Sequence, residues 1–360
     1  MWGRAKAGNH FASVAAARPG PYKGGGRLGK NHMILVTGGA GFIGSNLLAG
    51  LEACGQKALA VCDRLNDGEK WQNLAKRDHL ETVHPEDLFT FLESHRGNIE
   101  AIFHLGAISD TTVLDKERLL ETNFRLSVAL WEHCIKEGIR FFYASSAATY
   151  GDGSQGFDDD GSPEALAKLQ PLNPYGWSKH LFDQHVAKIT HARGPTPPQW
   201  AGLKFFNVYG PNEGHKGAQK SVIAQIFPDA KAGRPVRLFR SHNPDYGDGG
   251  QLRDFIWVGD SVAVMLWLYD HPETNGLFNL GSGKARSFLD LAHAIFQALN
   301  MEPNIKFIDT PEAIRARYQY FTQAEMSRLR QAGCDLPFCS LEEGVARYVR
   351  DYLNTADPYI

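Results

Sequence analysis

A tyrosine and a lysine one helical turn apart are the residues of this sequence best suited to move a proton. The stretch NPYGWSK places Lys179 four residues after Tyr175, and Asn173 and Pro174 before them are typical of a helix start. A tyrosine titrates at about pH 10 in water, so it needs help to act as a base at neutral pH. Lys179 and the helix N-terminus would both lower the pKa of Tyr175. A surface tyrosine beside a solvated lysine is the alternative, because Y-x-x-x-K is common by chance.

Two serines in YASSAATYG, residues 143–151, supply a partner for this pair. They end an apolar run, which is where an α/β sheet presents its ligand crevice. Ser146 can hold a substrate hydroxyl or carbonyl beside Tyr175, whereas Ser145 could be a packing residue of the same turn. Serine, tyrosine and lysine in this order predict acid–base chemistry at an oxygen-bearing carbon.

A glycine-rich turn, TGGAGFIG, follows the apolar run that begins at Met33. Its glycines, Gly38, Gly39, Gly41 and Gly44, are spaced to allow a tight turn, close approach of backbone to a pyrophosphate, and close packing of the next helix. Because an apolar run precedes it and an amphipathic stretch follows, we interpret it as a dinucleotide-binding loop rather than a structural turn.

The next apolar run ends at Asp63, which would accept hydrogen bonds from the adenosine ribose of the dinucleotide. Arg64 follows directly, and Lys70 comes a turn or so later. These cations could meet a 2′-phosphate and favour NADP over NAD, or they could be exposed surface charges. The residues alone leave both alternatives open.

The elements that must position these residues alternate along the chain. Apolar runs at 34–38, 58–63, 99–107, 140–147 and 202–210 predict buried strands, and helices are predicted near 43–54, 117–137 and 175–190. Strands alternating with helices indicate a parallel sheet covered on both faces. After about residue 210 the pattern loosens, and the loop 241–251 and shorter helices indicate a smaller second region.

Composition excludes several classes of function. The 360 residues carry 38 basic and 40 acidic side chains, so the net charge of −2 indicates neither a nucleic-acid nor a membrane partner. Five cysteines without a C-x-x-C pair predict neither a disulfide framework nor a zinc site, and they suit the reducing cytoplasm. Residues 1–32 contain bases but no acid and predict a disordered extension, with a targeting segment as the alternative.

Taken together, TGGAGFIG, YASSAATYG, the Tyr175 and Lys179 pair, FFNVYGP and LRDFIWVGD resemble the motifs of the extended short-chain dehydrogenase/reductase family. The resemblance implies a Rossmann-type doubly wound parallel sheet in residues 33–206, with later crossings of the chain. It also implies a smaller α/β substrate-binding region, mainly in residues 207–360. Further stretches, FNVYGPNEGHKG and YQYFTQAE, are similar to the members that epimerise an ADP-linked heptose during lipopolysaccharide synthesis, and these form homo-oligomers, with pentamers expected.

The resemblance also implies roles for individual residues. Tyr175 and Lys216 match the two proton-handling residues, Ser146 holds the reacting oxygen, and Lys179 tunes Tyr175 and binds the nicotinamide ribose. The expected NADP-binding residues are Gly38, Gly41, Phe42, Ile43, Gly44, Asp63, Arg64, Lys70, Leu105, Gly106, Ala107, Ile108, Ser109, Asn123, Lys179, Val208 and Lys216. The expected substrate-binding residues are Ser146, Asn207, Ala218, Gln225, Phe239, Arg240, Ser241, His242, Arg253 and Tyr318.

This sequence departs from the family pattern at three places. Arg64 replaces a residue that is often Asn, and Ala218 and Gln225 stand where a serine and a histidine are common. The loop HNPDYGDGGQ is longer than usual. These departures concern the substrate contacts more than the chemistry.

The chemistry implied is inversion of an unactivated carbinol carbon. Its hydrogen is not acidic, so the expected route is oxidation to a ketone, with hydride leaving to bound NADP and returning to the other face. A UDP-sugar 4-epimerase would use the same serine, tyrosine and lysine and is the second candidate. A 4,6-dehydratase needs an acid pair where this chain has Ala147 and Ala148. A non-catalytic cofactor-sensing protein is a further alternative, but it would not need Ser146, Tyr175 and Lys179 together.

Overall fold

A seven-stranded, wholly parallel sheet forms the centre of the computed structural model, which describes residues 32–65, 68–78, 80–315 and 318–360. The strand order is β10-β6-β5-β4-β1-β2-β3, so the first strand lies inside the sheet. The predicted extension, except for His32, lies outside the described residues. The sheet strands are β1 (Met33–Thr37), β2 (Leu59–Cys62), β3 (Leu80–Val83), β4 (Ile99–His104), β5 (Arg140–Ser146), β6 (Trp200–Phe205) and β10 (Gly276–Leu280).

Helices connect the strands, and several begin at the caps that the sequence provides. The side chains of Asn173 and Ser221 each accept a hydrogen bond from the first turn of the helix that follows, and Ser287 and Ser340 form complete capping boxes. The helices are α1 (Phe42–Ala53), α2 (Leu88–Ser94), α3 (Lys116–Leu119), α4 (Leu126–Glu137), α5 (Pro163–Leu166), α6 (Pro174–His191), α7 (Val222–Lys231), α8 (Val258–Asp270), α9 (Phe288–Leu299), α10 (Glu312–Arg315), α11 (Ser327–Gln331) and α12 (Leu341–Tyr348). None of them is long and apolar enough to span a bilayer.

Both faces of the large sheet are buried. Along β1, Ile34 and Val36 pack into one hydrophobic cluster, whereas Met33 and Leu35 pack into the cluster on the other face. Side chains alternate across a strand, so an uninterrupted apolar strand needs cover on both sides. This confirms the predicted doubly wound α/β fold.

Two small sheets lie beyond the large one. Strands β7 (Asn207–Tyr209), β9 (Leu252–Trp257) and β11 (Ala285–Ser287) form one of them, and β8 (Val236–Phe239) and β12 (Ile305–Ile308) form the other. Between these elements the chain returns to the large sheet, where β10 pairs with β6. The C-terminal residues then contact the segment after β2, since Lys76 forms an ion pair of 2.8 Å with Asp357.

One predicted strand is wrong in its extent. The apolar run 202–210 is two strands, β6 and β7, which belong to different sheets. Phe206 separates them, and its amide donates to the carbonyl of Leu280 on β10. An apolar run reports burial but not which sheet buries it, so periodicity could not show this break.

Candidate active site

A cleft of about 1050 Å³ opens at the carboxyl edge of the large sheet, between that edge and the small sheets. All four predicted catalytic residues, Ser146, Tyr175, Lys179 and Lys216, line it, although they come from three separate segments. Other predicted residues in its wall are Gly38, Gly41, Phe42, Ile43, Gly44, Asp63, Lys70, Leu105, Gly106, Ala107, Ser109, Asn207, Val208 and Ala218.

The glycine turn forms the floor of one end of the cleft. Gly38 has a φ of 68°, and a Cβ there would lie 2.6 Å from the backbone nitrogen of Gly106. A Cβ on Gly44 would lie 2.3 Å from the carbonyl oxygen of Gly38. Helix α1 starts after Gly41 without a side-chain cap, so its first amides are free to bind an anion. The turn therefore brings backbone where a pyrophosphate could lie.

Asp63 follows β2 and lies beside this turn. Its carboxylate accepts from the amide of Ala40 at 2.9 Å and from Nζ of Lys70 at 2.5 Å. Arg64 instead points to the surface, where its guanidinium is 3.9 Å from Glu86 and both side chains are exposed. Of the two cations expected near a 2′-phosphate, Lys70 is thus in the cleft and Arg64 is outside its wall.

Asn123 fixes the segment that follows β4. Its side chain accepts from the amide of Ile108 at 2.9 Å and donates to the carbonyl of the same residue at 3.0 Å. It also donates to the hydroxyl of Ser178 on α6 at 3.0 Å. Asn123 is fully buried, and neither it nor Ile108 is in the cleft wall. The two residues fix the backbone of the segment from which Leu105 and Ser109 line the cleft.

Ser146, at the end of β5, meets Tyr175, at the start of α6. Ser146 is the last residue of β5, and its hydroxyl accepts from the amide of Ala148 at 3.1 Å. The sequence predicted that Lys179 lowers the pKa of Tyr175. In the structure burial raises the pKa of this phenol, and a hydrogen bond with Ser146 opposes the rise without cancelling it. Tyr175 is therefore protonated at neutral pH in this structure.

Lys179 lies one turn further along α6 and is only 4% exposed. Burial lowers its pKa from 10.5 to about 8, because an ammonium ion loses hydration there. Burial, and secondly the positive charge of Lys179, lower the pKa of His104 to about 3, so this histidine is neutral. Lys179 is accordingly a buried cation that loses its proton in a mildly basic medium.

Lys216 reaches the cleft from a short 3₁₀ helix, Gly214–Gln219. Its Nζ lies 5.3 Å from the centre of the Phe42 ring, and burial lowers its pKa. The neighbouring Glu213 is buried and accepts from the hydroxyls of Ser221 at 2.6 Å and Tyr348 at 2.9 Å. Glu213 anchors this segment, and sequence reasoning missed it although it lies inside the quoted GPNEGHKG motif.

A second group of predicted residues surrounds Arg253. Its guanidinium lies 5.5 Å from the centre of the Tyr318 ring, which in turn lies 6.2 Å from that of Phe239. In the part of the chain that the structure describes, no carboxylate forms an ion pair with Arg253. Phe288, which the sequence did not suggest, lies 5.7 Å from the guanidinium and also lines the cleft. Arg253, Tyr318 and Phe239 themselves lie outside the cleft wall, so the Arg253 group borders the cleft through Phe288.

The remaining predicted substrate residues lie outside the cleft wall. Gln225, on α7, donates to the carbonyls of Ala218 at 3.2 Å and Lys220 at 2.7 Å in the segment before its helix. Arg240 is 3.8 Å from Asp309 in an exposed pair. Ser241 donates to the carbonyl of Asn243 at 2.7 Å. The amide of His242 donates to the hydroxyl of Tyr320 at 2.9 Å, so the long loop reaches the strand-like segment that holds Tyr318.

Metal ligation is not suggested within the described ranges, where no group of three or more His, Cys, Asp or Glu side chains could hold an ion. The five cysteines are free thiols. What the cleft offers is a backbone cradle for phosphates, a serine and tyrosine in contact, and two lysines with lowered pKa. This combination suits reversible hydride transfer at a carbinol, with protons handled by side chains.

The fold and the cleft define a dinucleotide-dependent enzyme of the short-chain dehydrogenase type, and comparison with known proteins agrees. The chain belongs to the NAD dependent epimerase/dehydratase family, whose model matches residues 34–281. It is 49% identical to the ADP-L-glycero-D-manno-heptose-6-epimerase of Nitratidesulfovibrio vulgaris strain DP4, over 91% of this chain and 100% of the relative.

Solved structures show the same likeness. The ADP-L-glycero-D-manno-heptose-6-epimerase of Helicobacter pylori is 29% identical with a TM-score of 0.73, covering 89% of this chain and 96% of that one. The UDP-glucose 4-epimerase of Thermus thermophilus in complex with NAD is 26% identical with a TM-score of 0.67, covering 89% and 98%. The predicted family and fold class are therefore confirmed.

Proposed function

We propose that this protein is an ADP-glyceromanno-heptose 6-epimerase, which interconverts ADP-D-glycero-D-manno-heptose and its L-glycero epimer through a 6-keto intermediate. The observation that carries the proposal is the presence of two proton-handling side chains, Tyr175 and Lys216, in one cleft. Two such groups suit a reaction in which hydride can attack either face of a ketone and a different side chain exchanges the proton in each case. The 49% identity to a relative of that name supports the choice of substrate.

A nicotinamide dinucleotide fits the glycine turn, because Gly38 and Gly44 allow the close backbone packing that sets the turn and the uncapped start of α1 at one end of the cleft. We assign its binding to the residues expected from the sequence. Asn123 and Ile108 fix the adjoining segment of the cleft wall without lining it. Lys70 favours NADP because it lies in the cleft, and NAD is the alternative because Asp63 suits a free ribose. When bound, the cofactor supplies reversible hydride transfer. Chromatography of the nucleotide released from the purified protein distinguishes NADP from NAD.

The side chains account for the proton steps. The hydroxyl proton must leave when the carbinol is oxidised and return when the ketone is reduced. Tyr175, which is protonated, donates to the oxygen that Ser146 holds. Lys216 accepts a proton in the opposed orientation, because its lowered pKa increases its neutral fraction. Lys179 supplies positive charge beside the Tyr175 phenolate that forms.

We assign the nucleotide of the substrate to the Arg253 group. Arg253 donates to the carbonyl of Leu252 at 2.8 Å and has no ion pair among the described residues, so its guanidinium suits a diphosphate. The rings of Phe239 and Tyr318 offer apolar faces to a base. Asn207 and Ala218, in the cleft wall, would contact the sugar. Gln225, Arg240, Ser241 and His242 would shape the loops around it. On this assignment residues 33–206 mainly hold the cofactor and residues 207–360 mainly hold the substrate.

The test is incubation of the protein with ADP-D-glycero-D-manno-heptose while the configuration at C6 is followed by NMR. We expect conversion toward a mixture of both epimers without net change in the cofactor. UDP-glucose is the control substrate. Conversion of UDP-glucose to its C4 epimer, with none of the heptose, would replace this proposal with a UDP-sugar 4-epimerase. Tight cofactor binding without turnover of either sugar would indicate a cofactor-sensing protein.

We further infer a homo-oligomer, with a pentamer as the form that the family resemblance favours, and a cytoplasmic location in lipopolysaccharide precursor synthesis. Among the described residues, eight large apolar side chains are at least about a third exposed, Leu114 and Trp71 included, which is compatible with subunit contacts. Light scattering during gel filtration measures the subunit number. A monomeric mass at micromolar concentration would contradict the inference.

A further inference from the structure

Beneath the cleft lies a buried ion pair that the proposed mechanism does not use. Nζ of Lys204, on β6, lies 2.8 Å from a carboxylate oxygen of Asp183, on α6, and both side chains are fully buried. Removing two charges from water is costly, and an apolar pair of similar volume is often as stable. The pair therefore calls for an explanation beyond stability.

The carboxylate of Asp183 connects α6 to β5. Oδ2 accepts from the hydroxyl of Ser145 at 2.7 Å, and Oδ1 accepts from the hydroxyl of Tyr143 at 3.2 Å. Ser145 is the residue next to Ser146. Asp183 is also two turns after Tyr175 and one turn after Lys179, so the three lie on the same face of α6.

The ammonium of Lys204 connects β6 to the turn that contains Ser146. It donates to Oγ1 of Thr149 at 2.6 Å and lies 4.8 Å from the centre of the Tyr150 ring. The hydroxyl of Thr149 in turn donates to the carbonyl of Ser146 at 2.8 Å. Ser146 is thus fixed from both sides, by Asp183 through Ser145 and by Lys204 through Thr149.

We propose that the Lys204–Asp183 pair is a positioning pair, which fixes the turn of Ser146 against the helix of Tyr175 and so sets the alignment of these two side chains. Neither member of the pair lines the cleft. The pair acts on the turn of Ser146 through Ser145 and Thr149, and the negative charge of Asp183 also favours a higher pKa at Tyr175 and at Lys179. The inference rests on the proposed function for its rate measurement, because alignment of Ser146 with Tyr175 matters only if both handle the substrate oxygen.

The first test compares turnover in three variants. Lys204→Met should lower kcat about a hundred-fold with KM within about two-fold, because a misplacement of about 1 Å costs that much in rate. Thr149→Val keeps the ion pair and the shape, and should lower kcat about ten-fold through the lost hydrogen bond. Lys204→Arg keeps the charge but adds volume at a fully buried site, so its kcat should lie between those of Lys204→Met and the unmodified protein.

The matched control is Arg140→Met, which removes a buried cation at the opposite end of β5, where Arg140 pairs with Glu100 at 3.1 Å. It should lower the melting temperature and leave kcat unchanged. If Lys204→Met does not fold, Thr149→Val decides. Wild-type kcat in Thr149→Val, or a loss of melting temperature alone in Lys204→Met, would show that the pair only stabilises the fold.

A second readout needs no substrate and therefore separates this inference from the proposed function. Titration of Tyr175 is followed as phenolate absorbance, with the matching Tyr175→Phe protein subtracted. Because the hydrogen bond of Ser146 lowers the pKa of Tyr175, Ser146→Ala should raise it, and Thr149→Val should shift it in the same direction. An unchanged pKa in Thr149→Val would overturn the inference. Absence of heptose turnover in the unmodified protein would overturn only the function.

Discussion

At the scale of single residues, two lysines of the cleft share one property, namely that burial lowers the pKa of each. They differ in their surroundings. Lys179 lies within the helix of Tyr175, whereas Lys216 lies on a short segment anchored by Glu213. We therefore expect Lys179 to act as a charge and Lys216 to act as a proton carrier.

The lowered pKa of Lys179 predicts an alkaline limit for turnover. Its positive charge is fully present well below pH 8 and is lost as the pH rises through its folded pKa of about 8, short of the ordinary value of 10.5. Turnover should fall over the same range, because the Tyr175 phenolate loses its partner. Lys179→Arg keeps its charge to higher pH and should move the fall upward. A fall at the same pH in Lys179→Arg would assign it to another group.

Replacement of Lys216 by Met is the sharpest test of the second proton carrier. Methionine preserves most of the length and the packing on Phe42 but cannot exchange a proton. We expect epimerisation to fall by about 10² to 10⁴-fold, with the cofactor still bound. Progress curves and the nucleotide content of the same preparation measure both. Near-normal turnover would remove Lys216 from the mechanism and leave Tyr175 as the single carrier.

At the scale of elements, the close contact of α6 with the turn after Ser146 sets the geometry of the site. A Cβ on Gly176 would lie 2.6 Å from the carbonyl oxygen of Ala148 in that turn. Gly176 directly follows Tyr175, so any side chain there pushes the phenol away from the serine. This is one position where the absence of a side chain is itself required.

Gly176→Ala should therefore lower kcat by about ten-fold or more and cost about 1–3 kcal/mol of stability. Gly247→Ala is the matched control, because its Cβ would meet nothing within 4 Å. Enzyme rates and thermal melting of the two variants make the comparison. Equal effects of the two substitutions would mean that the contact between α6 and the turn does not determine the alignment.

The sequence predicts elements well where their signals are local. The glycine turn, the cap at Asn173 and the spacing of Tyr175 and Lys179 are properties of adjacent residues, and the structure has the corresponding elements. It does not predict β3 and β10, because β3 has no fully buried residue and β10 joins the sheet only after a long excursion of the chain. Pairing between distant segments has no local signal.

The same distinction holds within the site. Glu213 depends on Tyr348, and Lys204 depends on Asp183 and Thr149, so their roles arise from contacts between distant parts of the chain. A lone lysine within an apolar strand was a usable hint for Lys204, since a buried charge requires a partner. The partner could not be identified without the fold.

At the scale of the whole molecule, the described fold starts with a strand inside the large sheet. The amide of Met33 already donates to the carbonyl of Asn98, and β1 pairs with β2 and β4. We predict that a protein beginning at Met33 folds and turns over like the full chain, because every described strand of the large sheet and every described residue of the cleft wall lies at or after Met33. Thermal melting and kcat of the two proteins check this. Loss of either on removal of residues 1–32 would give that segment a role in the enzyme.

The hydrogen bonds of Asn123 with both backbone groups of Ile108 and with Ser178 link two parts of the site. They join the side of the cleft to which we assign the dinucleotide to the helix of Tyr175 and Lys179, so we expect these two parts to move together. We therefore expect any opening or closing of the cleft to come from its other side, where Lys216 lies. On the proposed function, sugar entry and release would then leave the hydride path undisturbed, and a ketone formed in the cleft would stay opposite the groups that must reduce it.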